Sequence, residues 1–281
     1  MVVLRCSVRG CGHPLERDGK LLRCDQGHAF DVARSGYVNL LQPQDRRSRL
    51  PGDPPEVQAA RSRFLERGLE APLVEALREI VEIHGARAAA GPLALLDVGC
   101  GDGFFLRALC SALGEGRGIE AHGVDISTAA VDAAARVQPG ATFVVANADR
   151  VLPYSDESFD VVTSVNARLN PSEFHRILRG GVLVVVVPAH DDLIELRAAV
   201  LGEAGERERM PRLREELARG FEFGGAIGVR HVVPMDVDAV RDALALSYRG
   251  ARRSQQPRVE GLGAMDVTIA HDIGWWRKSL S

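Results

Sequence analysis

Leu93-Ala94-Leu95-Leu96-Asp97-Val98-Gly99-Cys100-Gly101-Asp102-Gly103-Phe104-Phe105 is the stretch that decides the fold of this chain. It reads as a buried strand, a glycine-rich turn and the start of a helix. Glycines at 99, 101 and 103 let the backbone turn sharply and approach a ligand that side chains would hold off. Twenty-two residues past Gly103, the strand Ala121-His122-Gly123-Val124-Asp125-Ile126 ends in a carboxylate, placed where an acid can grip two ribose hydroxyls. A helix over 127–136, a strand over 142–146 followed by Asn147-Ala148-Asp149, and further strands over 159–165 and 181–187 come next. This alternation predicts an α/β, Rossmann-like, mostly parallel sheet with its ligand outside the carboxyl ends of the strands. The turn is Gly-x-Gly-x-Gly; the Gly-x-Gly-x-x-Gly of a pyrophosphate-binding site is not found there, which argues against a nicotinamide cofactor.

Outward from this core, the front of the chain carries a different chemistry. Three of the five cysteines, Cys6, Cys11 and Cys24, fall within the first 30 residues, near His13 and His28. Clustered thiols in a reducing compartment suit tetrahedral zinc better than disulfides, because thiolate is a soft ligand. The best set of four is Cys6, Cys11, Cys24 and His28, with His13 as a bystander or a substitute; a reduced module with free cysteines is the alternative. Leu15, Leu21, Leu22 and Phe30 are too few to fold so short a module alone, so metal binding should contribute much of its folding free energy. Cys100 and Cys110 read as buried thiols.

The 281 residues are 46% hydrophobic and 26% charged, enough for one large domain and a small appendage. No apolar run approaches the roughly 18 residues of a membrane helix, and a cytoplasmic location is expected. Net charge is −3, yet residues 1–70 hold 12 Lys and Arg against 9 Asp and Glu, so the basic excess sits at the front. Between module and core, residues 31–55 read as a polar loop through Arg46, Arg47 and Arg49. Helices are expected over 56–67 and 72–84. The expected division is a zinc-binding module at 1–35, a linker and helical region at 36–90, and the large domain at 91–281. Residues 190–220 read as surface helices. Closing strands are expected near 229–233 and 265–270, around a helix over 236–246, with Trp275 and Trp276 packed on the sheet edge.

Asp97 before the glycines, Asp125, Asp149 and the Leu152-Pro153-Tyr154 turn ahead of Phe159-Asp160 together resemble the class I S-adenosylmethionine-dependent methyltransferase superfamily, over residues 93–190. A more specific resemblance covers the front. Besides the zinc module, His28-Ala29-Phe30-Asp31-Val32-Ala33-Arg34, Gly36-Tyr37-Val38-Asn39-Leu40-Leu41, Ser48-Arg49, Pro51-Gly52-Asp53, Glu56 and Ala60-Arg61 look like the bacterial 23S ribosomal RNA guanine-N1 methyltransferase family. That resemblance implies a zinc finger (Zn2+) for RNA recognition ahead of a class I methyltransferase domain, methylation in a large-subunit hairpin loop and, in some members, macrolide resistance. Ribosomal RNA would be the partner, with a homodimer compatible and no membrane. Cofactor contacts are expected from Asp97, Gly99, Gly101, Gly103, Asp125, Ile126, Ala148 and Asp149.

A guanine ring nitrogen is protonated at neutral pH, so an acceptor must remove or share that proton; Asn166, His190 and Asp192 are the candidates. The chain departs from the family where the base should sit. Asn166-Ala167-Arg168 replaces an aromatic-Ala-Pro turn, Asp192 falls where a histidine is usual with His190 as a shifted equivalent, and Ser247-Tyr248-Arg249-Gly250 replaces a Met-Thr-Pro-aromatic segment. The first cysteine pair is Cys-x4-Cys against the usual Cys-x2-Cys. Two alternatives stay open on the sequence: a methyltransferase for a small molecule, and a non-catalytic RNA-binding or cofactor-sensing protein.

Overall fold

A computed structural model describes residues 2–46, 51–85, 91–114, 118–202, 208–247 and 261–279. Arg47, Ser48, Arg49 and the Tyr248-Arg249-Gly250 segment lie outside the described residues. Three short antiparallel strands, β1 (Glu16–Asp18), β2 (Leu21–Arg23) and β3 (Ala29–Asp31), form a small meander at the front. Its few apolar side chains do not make a core of their own. Leu4, Leu15 and Leu22 are buried in one cluster with Leu96, Val98 and Tyr154 of the large domain, so the module completes its core against the neighbouring sheet. Arg5 N donates to Pro153 O at 2.9 Å, tying the two together through the backbone.

Residues 38–39, read from sequence as part of a loop, form a strand. β4 (Val38–Asn39) pairs parallel with the edge of the main sheet, Val38 opposite Val144. So short a strand carries no alternation for a sequence reading to detect. Two helices follow, α1 (Pro55–Glu66) and α2 (Ala71–Gly85). The remaining elements alternate as expected: β5 (Leu93–Val98), α3 (Phe104–Ala112), β6 (Ile119–Asp125), α4 (Thr128–Val137), β7 (Thr142–Val145), β8 (Phe159–Val165), α5 (Pro171–Ile177) and β9 (Leu178–Pro188). Then come α6 (Ile194–Leu201), α7 (Met210–Leu217), β10 (Phe221–Met235), α8 (Val237–Ser247) and β11 (Met265–Lys278).

Side chains set these boundaries. Ser127 caps α4 by accepting from Ala130 N, and Asn170 caps α5 just ahead of Pro171. Every residue of β5 is buried, as a central parallel strand covered on both faces requires. Burying a leucine such as Leu95 or Leu96 there stabilises the fold by about 2 kcal/mol each.

The eight strands stand in the order β10-β11-β9-β8-β5-β6-β7-β4, with β11 antiparallel to both neighbours and the other pairs parallel. The direction of winding reverses at β5, which opens a crevice at its carboxyl end. Helices α2, α3 and α4 cover one face of the sheet. The other face packs on α5, α7 and the front module. A third apolar cluster joins α1, α6 and α8 through Phe64, Leu196, Val200 and Ala243.

The closing strands run much further than the sequence suggests. β10 spans 15 residues and β11 spans 14, where only 229–233 and 265–270 were expected. Glycines at 224, 225, 228 and 274 interrupt the apolar alternation from which a strand is read. In the sheet, Trp275 lies over Gly224 and Gly225, where an added Cβ would come within 2.6 Å and 2.3 Å of its ring, and the aromatic face replaces the missing side chains. Trp276 is buried, and Trp275 stacks on His84 at 5.2 Å, so both tryptophans are packing residues.

Candidate active site and metal cluster

At the front, backbone turns at Gly12 and Gly27 bring the two knuckles together. Cys6 Sγ lies 3.5 Å from His28 Nδ1, Cys24 Sγ 3.4 Å from the same nitrogen, and Cys11 Sγ 3.8 Å from Cys24 Sγ. All four ligand atoms fall within 4.8 Å of one another. Zinc–sulfur bonds of about 2.3 Å in a tetrahedron place sulfurs roughly 3.8 Å apart, so the four donors fit that ion. His13 takes no part in the cluster; its Nδ1 is 3.0 Å from Asp25 Oδ2.

In the large domain, a cavity of about 680 Å³ opens at the carboxyl ends of β5, β6, β8 and β9. Gly99, Gly101 and Gly103 have φ of 78°, 55° and 78°. At Gly99 this left-handed conformation coincides with a close approach: an added Cβ would stand 2.4 Å from Ala167 Cβ. Gly101 N donates to Asp125 Oδ2 at 3.0 Å and Ser127 N to Asp125 Oδ1 at 2.8 Å. Each carboxylate oxygen keeps a further lone pair for a ligand hydroxyl. Burial pushes the Asp125 carboxyl up, against those two amide donors and the Arg61 guanidinium, which pull it down.

Asp97 is fully buried beneath the turn and accepts from Thr163 Oγ1 at 2.8 Å. Desolvation, and next to it the Asp125 charge, raise its carboxyl to about 7. Neither it nor Gly103, which packs against Ala134 and Phe143, is among the residues facing the cavity, whereas Gly99, Gly101, Asp125, Ile126, Ala148 and Asp149 are. Asp149 is positioned by Asn147, whose side chain accepts from Asp149 N and donates to Asp45 O.

Of the three candidates on the acceptor side, two reach the cavity. Asn166 lines it at the end of β8, with φ at 52°; asparagine tolerates this left-handed geometry better than most side chains. Asp192 also lines it, and Ala270 N donates to its Oδ1 at 3.0 Å. Burial, the largest influence, lifts the Asp192 carboxyl to about 6. His190 turns outward. Its side chain is half exposed, 3.7 Å from Asp191, and lies off the cavity wall. Two residues of offset along the turn after β9 separate inward Asp192 from outward His190.

Sequence reasoning missed the roof and the far wall. Gln58 donates to Ser127 Oγ at 2.7 Å, Arg61 pairs with Asp53 at 2.7 Å, and Ser62 donates to Asp102 at 2.5 Å, which clamps α1 over the glycine turn. Pro51, Gly52 and Asp53 line the same cavity. Their place in the resemblance was the available signal. The far wall holds Glu70, Arg197 and His271, distributed over 201 positions with no local motif.

A glycine cradle open to the cavity, an acid ending the next strand and the parallel run β7-β6-β5-β8-β9 define a class I S-adenosylmethionine-dependent methyltransferase, here with a zinc ribbon at its front. Comparison with known proteins agrees. Residues 95–182 match the family model described as "Methyltransferase domain", and residues 4–49 match that described as "RlmA, N-terminal". The chain is 39% identical over 245 residues to "23S rRNA (guanine(748)-N(1))-methyltransferase" of Streptomyces fradiae, covering 86% of this chain and 84% of that protein. It is 31% identical over 261 residues to a Bacillus subtilis (strain 168) protein provisionally named as a 23S rRNA (guanine-N(1)-)-methyltransferase, covering 91% and 90%. Among solved structures, the YcgJ protein of Bacillus subtilis shares the fold, with a TM-score of 0.52 at 14% identity over 74% of this chain and 98% of that one. The chain belongs to the 23S rRNA (guanine-N1-)-methyltransferase family.

Proposed function

We propose that this protein methylates N1 of a guanine in 23S ribosomal RNA. The observation that carries the reading is that one cavity is lined both by Gly99, Gly101 and Asp125 and by Asn166 and Asp192. S-adenosylmethionine supplies an electrophilic methyl on a sulfonium. Asp125 would hold its ribose hydroxyls, Ile126, Ala148 and Asp149 its adenine, and the Gly99–Gly103 turn its amino-acid end, with Asp97 steadying that turn from beneath. Alignment of the nucleophile with the methyl is the main catalytic demand and can supply several kcal/mol. Asn166 would hydrogen-bond the edge of an extruded base, and Asp192 would place a carboxyl group beside it on the acceptor side of the cavity. His190, turned away from the cavity, has no part in this reading.

In this reading the ribbon of residues 1–35, with zinc on Cys6, Cys11, Cys24 and His28, reads the RNA; residues 36–90 join it to the core and roof the donor; residues 91–281 carry out transfer. A hairpin-loop target, a macrolide-resistance phenotype and a cytoplasmic location belong to the proposal and rest on the resemblance. No helix among the described residues is long and apolar enough to cross a membrane. The test is incubation of the zinc-loaded protein with labelled S-adenosylmethionine and unmodified 23S rRNA, followed by nucleoside digestion. Label is expected in 1-methylguanosine alone. Label in a small-molecule extract and none in RNA would select the metabolite reading.

A further inference from the structure

The far wall of the cavity is built from groups that a packing role leaves unexplained. His271, on β11 beside Pro188 of β9, places Nε2 at 2.9 Å from Glu70 Oε2, and the two side chains are only 5% and 8% exposed. Both line the cavity, as do Asp192 and Arg197. The other ring nitrogen, Nδ1, is buried and has no hydrogen-bond partner among the described residues. A buried polar atom left unsatisfied costs about 1–3 kcal/mol, so a ligand that supplies its partner recovers that cost. The Glu70 carboxylate selects the tautomer in which Nε2 carries the hydrogen, leaving a lone pair on Nδ1.

Resting on the guanine-N1 reading above, we propose that His271, oriented by Glu70, is the general base of the reaction and takes the guanine N1 proton on Nδ1. The N1–H bond breaks and its proton passes to Nδ1; the electron pair left on N1 forms the bond to the methyl carbon, and the carbon–sulfur pair stays on sulfur. One neutral imidazole becomes an imidazolium as one sulfonium becomes a thioether, so charge balances. Glu70 is a positioning residue, acting through His271. Asp192 faces the same imidazole and stabilises its charged form, with Arg197 beside it, and Asp272 on β11 adds a further negative charge that Arg230 pairs. Burial pulls the imidazole down, but Glu70, Asp192 and Asp272 outweigh it and hold His271 above the usual histidine value.

The rate should therefore rise with pH through the His271 titration, since only the neutral ring accepts a proton. The test uses the full zinc-loaded chain, with His271→Asn, His271→Ala, Glu70→Gln and Asp192→Asn, on a 23S rRNA transcript under single turnover, with S-adenosylmethionine affinity measured in parallel by calorimetry. General-base removal typically costs about 100-fold or more. His271→Asn is expected to lose that factor in the transfer rate with donor affinity within threefold of wild type. Added imidazole should restore part of the rate to His271→Ala. Glu70→Gln should move the acid limb of the pH profile to lower pH, and the His271 ring titration followed by NMR should move with it. An unchanged rate in His271→Asn, or an acid limb that vanishes in Asp192→Asn and is indifferent to Glu70→Gln, overturns the inference while leaving guanine methylation intact. Wild-type protein that labels no guanine overturns both.

Discussion

Replacing Gly99 by alanine tests how tightly the donor turn is pressed against the acceptor turn. The new methyl carbon would lie 2.4 Å from Ala167 Cβ, against an ordinary carbon–carbon contact of about 3.5–4.0 Å, so one of the two turns must move by more than an ångström. Two costs add. A side chain at φ near +78° loses about 1–2 kcal/mol, and forced overpacking adds about 1–3 kcal/mol. The sum, about 2–5 kcal/mol, falls on the segment that carries Gly101 N and, through it, Asp125. If even 2 kcal/mol of it is spent when the turn must close on the donor, Kd for S-adenosylmethionine rises about 30-fold. Calorimetry measures this, and Gly10→Ala is the control, because Gly10 shares the positive φ but has no atom within 4 Å of the added Cβ and lies in the ribbon. Wild-type affinity in Gly99→Ala would show that the two turns are not in contact, and the account of the cavity's floor would fail.

Three other outcomes are expected. Stripping zinc with a chelator, or Cys24→Ser, should lower the melting temperature of the whole chain, because Leu15 and Leu22 share a core with Leu96 and Tyr154; an unchanged main transition would separate the ribbon from that core. Asp97 keeps its proton up to about 7 in the folded chain, against 3.8 unfolded, so the folded state binds more protons between those values and stability falls as pH rises through them. Asp97→Asn, which retains an acceptor for Thr163, should thus gain stability relative to wild type at pH 8 but little at pH 4, by up to about 4 kcal/mol; a gap that shrinks toward pH 8 in thermal melts would contradict the sign. Asp125→Ala removes the acceptor of two backbone amides and the sugar ligand together, and should weaken donor binding by 100-fold or more, at about 1.5–3 kcal/mol per charge-assisted bond; a loss below threefold in calorimetry would remove Asp125 from the site.

What could be read before folding was whatever is local. The run from Leu93 to Phe105 carries strand, turn and helix within 13 residues, and its glycines announce their own backbone angles. The zinc ligands are equally local, since the two knuckles are short and cysteine is scarce elsewhere. Departures came where a role depends on distant partners. β4 is only two residues long and exists because β7 offers it an edge. The glycine-rich half of β10 has no strand pattern until Trp275 covers it. Glu70 and His271 meet across 201 positions and neither lies in a motif, so only the fold brings them together. His190 and Asp192 stand two apart, and the turn after β9 sends one to solvent and the other to the cavity.

The claim beneath all of this is that the turn after β5 and the acid ending β6 bind a methyl-donating nucleoside. Titration calorimetry of the zinc-loaded chain against S-adenosylmethionine and against NAD addresses it directly. One equivalent of S-adenosylmethionine should bind, with the heat abolished in Asp125→Ala and no signal from NAD. Tight NAD binding with no heat from S-adenosylmethionine would contradict the account at its base.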